Sequence, residues 1–153
     1  MRALLSVIGK KGSGKSEILE RLIALLSRRG FRVGVIKHLM REDIEIDEPG
    51  KDTYRYRSQG AATVILSGRR RLALFTNLGE EIPLEGLLNF FQGFDLVFLE
   101  GYFQEGFSQL EVQRKESGEW LLKMGAANVF REPDSLALFI EEKLLKKEME
   151  LTQ

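Results

Sequence analysis

Eight residues near the start of the chain, Gly9-Lys10-Lys11-Gly12-Ser13-Gly14-Lys15-Ser16, fit G-x-x-x-x-G-K-[ST]. That spacing belongs to a loop whose backbone N–H groups wrap the phosphates of a nucleotide. The chemistry follows from charge. A helix N-terminus carries unpaired N–H donors and a partial positive charge, so an anion is stabilised there. Gly12 and Gly14 allow close backbone approach and torsions that a side chain resists. Lys15 is expected to neutralise the β- and γ-phosphates, and the Ser16 hydroxyl to bind Mg²⁺. A second signal is Glu100, which closes the apolar run 96–99. A carboxylate ending a buried run is costly unless paired or near a metal, so Glu100 is expected at the Mg²⁺ site, directly or through water. Lys15 and Glu100 are thus the candidate catalytic residues, and Gly9 to Ser16 the candidate nucleotide contacts.

These side chains need a strand, a tight turn and a helix. Residues 3–8 read as a buried strand, and Ile18, Leu19, Leu22, Ile23 and Leu26 recur at helical spacing up to Gly30, a suitable C-cap. Residues 31–38 form a second strand, so the crossover is right-handed and parallel. Its carboxyl end, with Lys37 and His38, then lies beside the phosphate loop, where open α/β sheets bind ligands. His38 is read either as a hydrogen-bonded structural residue or as a functional one. Residues 96–99 are apolar without alternation, as in a parallel strand covered on both faces.

Between these parts, Asp43-Ile44-Glu45-Ile46-Asp47 alternates with period two and reads as an edge strand. Pro49-Gly50 makes a turn, and Asp52 starts a short helix over 53–59, either as a simple cap or as a contact to Mg²⁺. Strands are expected at 62–66 and 71–75, joined by the turn 67–70, so that Arg69, Arg70 and Arg71 cluster at its end. These arginines are solvated, or they hold a phosphate. An amphipathic helix is expected over 83–91, strands at 110–114 and 120–124, and a final helix opened by Pro133. Residues 148–153 are expected to fray.

The 153 residues suffice for one domain with a real core, and no linker or repeat divides them. The 23 Lys and Arg balance the 23 Asp and Glu, so no overall field suits a nucleic-acid partner. The distribution is uneven: residues 1–41 hold ten basic side chains against Glu17 and Glu20. A positive phosphate-binding end on an acidic body fits a nucleotide protein. The absence of cysteine excludes disulfides, thiolate nucleophiles and zinc fingers. No apolar run approaches the roughly 20 residues of a membrane span, and no signal peptide precedes the first strand, so a cytoplasmic protein is expected.

Three segments carry a family resemblance. Gly34-Val35-Ile36-Lys37-His38, Asp47-x-Pro49-Gly50-Lys51-Asp52-Thr53 and Arg55-x-Arg57-x-x-Gly60-Ala61, in this order after the phosphate loop, resemble the molybdopterin-guanine dinucleotide biosynthesis protein B family. The Glu100-Gly101 pair matches the family too. The resemblance implies a GTP- and Mg²⁺-binding P-loop protein, often a homodimer, that assists a guanylyltransferase joining GMP to molybdopterin. Contacts to molybdopterin or to molybdoenzymes fit the same role. Lys37, His38, Lys51 and Arg69 to Arg71 become candidates for a phosphate of substrate or partner, and Asp52 for the metal. Lys10 stands where dimerising relatives of this loop class carry a lysine that reaches a nucleotide across the dimer; generic electrostatics explains it as well. The base-reading acid of related proteins follows a late strand, which points to Asn128 here, although an amide lacks a carboxylate's preference for guanine. The chain departs from the family at Leu39, Met40 and Arg41, where histidines are usual, and at Gln104 and 108–111, where lysines are usual.

The expected fold is a P-loop NTPase-like, three-layer α/β domain over 1–153, with a mostly parallel twisted sheet and helices on both faces. The expected function is GTP binding with slow hydrolysis in molybdenum cofactor synthesis, since no general base stands out. The alternatives are a small-molecule kinase using ATP, with the arginine cluster on the transferred group, and a nucleotide domain without hydrolysis. A nickel-enzyme metallochaperone would want the His or Cys cluster that one histidine and no cysteine cannot supply.

Overall fold

The computed structural model describes residues 3–40, 47–102 and 106–145. The edge strand expected at 43–47 lies outside these residues except for Asp47. The departures at Arg41 and Gln104 and the frayed end at 148–153 lie outside them as well. The chain divides into two compact units, Met1–Leu39 with Leu87–Gln153, and Met40–Gly86.

The first unit is built on a six-stranded sheet. β1 (Ala3–Ile8) leads through the glycine-rich turn into α1 (Lys15–Arg28), and β2 (Val33–Lys37) follows. In chain order the second unit then supplies α2 (Asp52–Ser58), β3 (Thr63–Ser67) and β4 (Leu72–Thr76). The chain continues with α3 (Leu84–Leu88), β5 (Leu96–Glu100), β6 (Ser108–Arg114), β7 (Trp120–Met124), β8 (Asn128–Phe130) and α4 (Pro133–Ile140). The sheet order is β2-β5-β1-β6-β7-β8. The pairs β2–β5, β5–β1 and β1–β6 are parallel, while β7 is antiparallel to both its neighbours. The mostly parallel α/β architecture agrees with the reading of the sequence.

Side-chain alternation sets what each face buries. Ala3, Leu5 and Val7 of β1, with Leu96 and Phe98 of β5, pack against Ile18, Leu19, Leu22 and Leu26 of α1 and against Leu136 and Ile140 of α4. Each fully buried side chain of this size contributes about 1.5–3 kcal/mol. On the opposite face of β2, Phe91 and Phe94 occupy the space above Gly34, where any Cβ would overlap the Phe91 ring. Pro133 opens α4 in its first turn, as its fixed φ and missing N–H favour, and the helix runs on into a π-helical turn at Glu141–Leu145. The amphipathic segment at 83–91 is α3 followed by a 3-10 turn, Asn89–Phe91, rather than one continuous helix.

The second unit carries the β3–β4 ribbon, a separate two-stranded antiparallel sheet. Its Asp47 side chain, only 5% exposed, organises the turn before α2. Oδ1 accepts from the Glu48 amide and from Thr53 Oγ1, both at 2.9 Å, and Oδ2 lies 3.4 Å from Arg57 Nη1. Arg57 in turn lies over the Phe75 ring.

Candidate functional site

The parallel strands of the first unit bring their carboxyl ends to one edge, and the glycine-rich turn sits there. Gly12 and Gly14 both adopt left-handed backbone, φ 79° and 83°, which only glycine takes without strain. Gly14 is the N-cap of α1 and offers no side-chain cap. The first N–H groups of the helix are therefore unpaired within it and available to an anion. Lys15 Nζ donates to the carbonyls of Gly9 and Lys10, at 2.8 and 2.9 Å, so its charge lies across the mouth of the loop. Ser13 Oγ is buried and has no hydrogen-bond partner, a state that native structures rarely leave without a purpose. Lys10 and Lys11 are exposed on the loop.

Next to the loop, β5 delivers Glu100. Its side chain is 13% exposed; Oε1 accepts from Ser16 Oγ at 3.5 Å, and Oε2 lies 3.4 Å from Lys37 Nζ. β5 lies between β1 and β2, and the parallel register puts Glu100 level with both Val7 and Lys37. Four sequence-expected residues, Lys15, Ser16, Lys37 and Glu100, are thereby drawn to one edge by three neighbouring strands. His38 follows at the end of β2. Its amide donates to the Glu100 carbonyl at 2.8 Å, and its ring lies 4.9 Å from that of Tyr102. Gly101 has φ 86°, and a Cβ there would stand 2.6 Å from the His38 carbonyl oxygen, so the Glu-Gly pair is needed for the two strand ends to approach.

The donor set fits Mg²⁺ with a nucleotide. One hydroxyl and one carboxylate, with phosphate oxygens and water, form the hard-oxygen set that this ion takes at NTP sites. Among the described residues no group of three or more His, Cys, Asp or Glu side chains could hold a metal ion, and a site of this kind does not require one.

The remaining candidates make other contacts. Asn128 starts β8, where it pairs with Met124 of β7; Met124 is level with Leu110 of β6, and Leu110 with Val7 of β1. It therefore stands three strand spacings from β1, roughly 14 Å. Its Nδ2 donates to the Met124 carbonyl at 3.0 Å, closing the β7–β8 turn. In the second unit, Lys51 pairs with Glu48 at 3.7 Å and Asp52 with Arg55 at 3.4 Å. Arg69, Arg70 and Arg71 are exposed in the β3–β4 turn, where the Gly68 amide donates to the Arg71 carbonyl at 2.9 Å.

Two residues at the loop are not apparent from sequence spacing. Trp120 presses its indole on Gly14, where a Cβ would overlap the ring, and the Arg114 guanidinium lies 4.5 Å from the ring centroid. They face each other across the β6–β7 register. Local periodicity presents both only as strand ends; their pairing across the hairpin is the signal that could have marked them.

The family described as "Molybdopterin guanine dinucleotide synthesis protein B" matches residues 4–131. A "Molybdopterin-guanine dinucleotide biosynthesis adapter protein" of Haemophilus influenzae is 37% identical over 115 residues, which is 74% of this chain and 64% of the relative. Its namesake in Escherichia coli is 36% identical over 124 residues, 77% of this chain and 69% of the relative. The chain thus spans about two thirds of the length of these curated relatives. A crystal structure of "molybdopterin-guanine biosynthesis protein B" superposes with a TM-score of 0.69 at 25% identity, covering 92% of this chain and 98% of that one.

Proposed function

The chain belongs to the molybdopterin guanine dinucleotide synthesis protein B family, and from that membership we propose that it binds GTP with Mg²⁺ in the service of molybdopterin guanine dinucleotide synthesis. Its role is that of an adaptor, or GTP supplier, to the guanylyltransferase that joins GMP to molybdopterin in the cytoplasm. The observation that carries the nucleotide half of this reading is the meeting of Lys15, Ser16 and Glu100 at the carboxyl edge of β1 and β5. The likeness to the adapter-protein relatives carries the other half.

In this reading the α1 N–H groups and Lys15 bind the phosphates, and Ser16 and Glu100 hold Mg²⁺, directly or through water. The ion, when bound, would supply positive charge against the phosphates. Ser13 Oγ, already desolvated, gains its missing partner from a phosphate oxygen. Hydrolysis is slow, because Lys15, Ser16, Lys37 and Glu100 bind charge and metal, and none of them is placed as a base for an attacking water. Asn128 is a weak base reader: its Nδ2 donates to the Met124 carbonyl, and its single amide oxygen does not match a carboxylate's two acceptors for the two donors of guanine. The working form is a homodimer.

Equilibrium binding of GTP and ATP with Mg²⁺, on wild type and Lys15→Ala, tests the proposal. GTP preferred by at least about tenfold, about 1.4 kcal/mol, and lost in the variant, is the expected result. Equal binding, or preference for ATP, would remove the guanine assignment and favour a small-molecule kinase.

A further inference from the structure

The metal-side residues give the phosphate site a direction. Ser16 and Glu100 meet on the β5 side of β1, so the terminal phosphates of a bound nucleotide point toward β5. Its nucleoside then leaves on the other side of β1, where β6 and β7 stand. β6 continues beyond the end of β1: Ile8 is level with Glu111, and the next residues, Val112 to Arg114, run alongside the glycine-rich loop. The Val112 carbonyl abuts Gly9, and Trp120 abuts Gly14.

On this wall the chain fixes one guanidinium. Arg114 lies on the Trp120 ring, its Nε donates to the Gly118 carbonyl at 3.1 Å, and its Nη1 is 3.5 Å from Glu17 Oε2. Indole, turn carbonyl and carboxylate together hold the group, although its side chain stays 45% exposed. Glu17 follows Ser16 directly, so its backbone N–H is one of the unpaired donors of the first turn of α1. The Glu17 carboxylate thus ties the guanidinium to the first turn of α1.

We propose that Arg114, seated on Trp120, binds the α-phosphate of a nucleoside 5′-phosphate in the glycine-rich loop, exchanging Glu17 for that phosphate. This rests on the nucleotide-binding reading and adds to it a second cation, from the β6–β7 hairpin, on the nucleoside side. A planar guanidinium pre-ordered by stacking suits a phosphate better than a mobile ammonium does. The contact is blind to the base, and it is shared by di- and triphosphates.

Calorimetric titration with GTP and with GDP, each with Mg²⁺, tests this on wild type, Arg114→Ala, Arg114→Lys and Lys15→Ala. Arg114→Ala is expected to weaken GTP and GDP by the same factor, about tenfold, the order of one lost charge-assisted contact. Arg114→Lys, which keeps the charge and loses the stack, should lie between wild type and Arg114→Ala for both nucleotides. Wild-type affinity in Arg114→Ala, alongside loss in Lys15→Ala, would overturn the inference and leave the nucleotide reading standing. A loss confined to GTP would put Arg114 at the terminal phosphate and also overturn it. Failure of the wild type to bind either nucleotide would remove both.

Discussion

Gly12 and Gly14 share one backbone conformation and differ in what surrounds them. A Cβ at Gly12 meets nothing within 4 Å, whereas at Gly14 it overlaps Trp120. Gly12→Ala should therefore cost only the left-handed strain, about 1–2 kcal/mol. Gly14→Ala adds displacement of a packed indole and should cost about 3 kcal/mol or more. Denaturant midpoints of the two variants decide this, and equal losses would mean that Trp120 yields freely. Ser13 invites the opposite experiment. Its buried hydroxyl lacks a partner, so Ser13→Ala should leave the free protein as stable or up to about 1 kcal/mol more stable. The same variant should bind GTP more weakly, because the hydroxyl is then missing where a phosphate would use it. A variant both less stable and unchanged in binding would contradict that role. Glu100 is the third case. Its pairing with half-exposed Lys37 is worth under about 1 kcal/mol, so Glu100→Gln should fold normally. What it should lose is the gain in GTP affinity that Mg²⁺ brings, read by titration with and without the ion.

At the scale of elements, legibility followed the range over which each signal acts. β1, the glycine-rich turn and α1 are encoded in one contiguous stretch, and their bounds came out within a residue or two of the expected ones. β5 was legible because a strand covered on both faces has no polar alternate positions to confuse it. The short β8 carries no periodicity over three residues, so sequence places Asn128 only after a late strand; it begins β8 and closes a hairpin. Trp120 against Gly14 joins residues more than a hundred positions apart, and no local pattern announces such a contact. The Asp47 motif shows a further limit. Its spacing was recognisable, yet only the hydrogen bonds separate the residue that builds the turn, Asp47, from the exposed Lys51 and Asp52 beside it. Asp47→Ala removes the hydrogen bonds accepted from the Glu48 amide and Thr53 Oγ1 and deprives Arg57 of this carboxylate, a loss of about 2–4 kcal/mol locally. Hydrogen exchange should quicken across residues 51–60 while β1 and β5 stay protected. Uniform quickening across both units would show that this turn does not unfold on its own.

At the scale of the whole molecule, the proposed homodimer needs a surface, and the β3–β4 ribbon offers one. Ile65 and Leu74 are paired across the ribbon on one face, with Leu72 beside them and the Thr63–Thr76 hydroxyl pair at the end. Ile65 is 59% exposed and Leu72 67%. On the alternate face Val64, Ala73 and Phe75 are half-buried, with Arg57 over Phe75, and Leu66 alone of that row is exposed, so the more exposed apolar face is the other one. A two-stranded ribbon is marginal in water, and several large aliphatic side chains on one face cost free energy while they remain wetted. A second copy of the ribbon, contributing the same apolar row, would cover them by two-fold symmetry. Ile65→Glu with Leu74→Glu places four carboxylates in such a contact and should convert a dimer to a monomer in sedimentation equilibrium. GTP affinity should persist in that variant, since Lys15, Ser16 and Glu100 belong to the first unit. A dimer that survives the double substitution would place the contact elsewhere, and a wild type that is monomeric at high concentration would remove the dimer from the proposal. If monomerisation also abolished GTP binding, the site would require the second copy, and Lys10, exposed on the loop, would become the first residue to test for a contact across it.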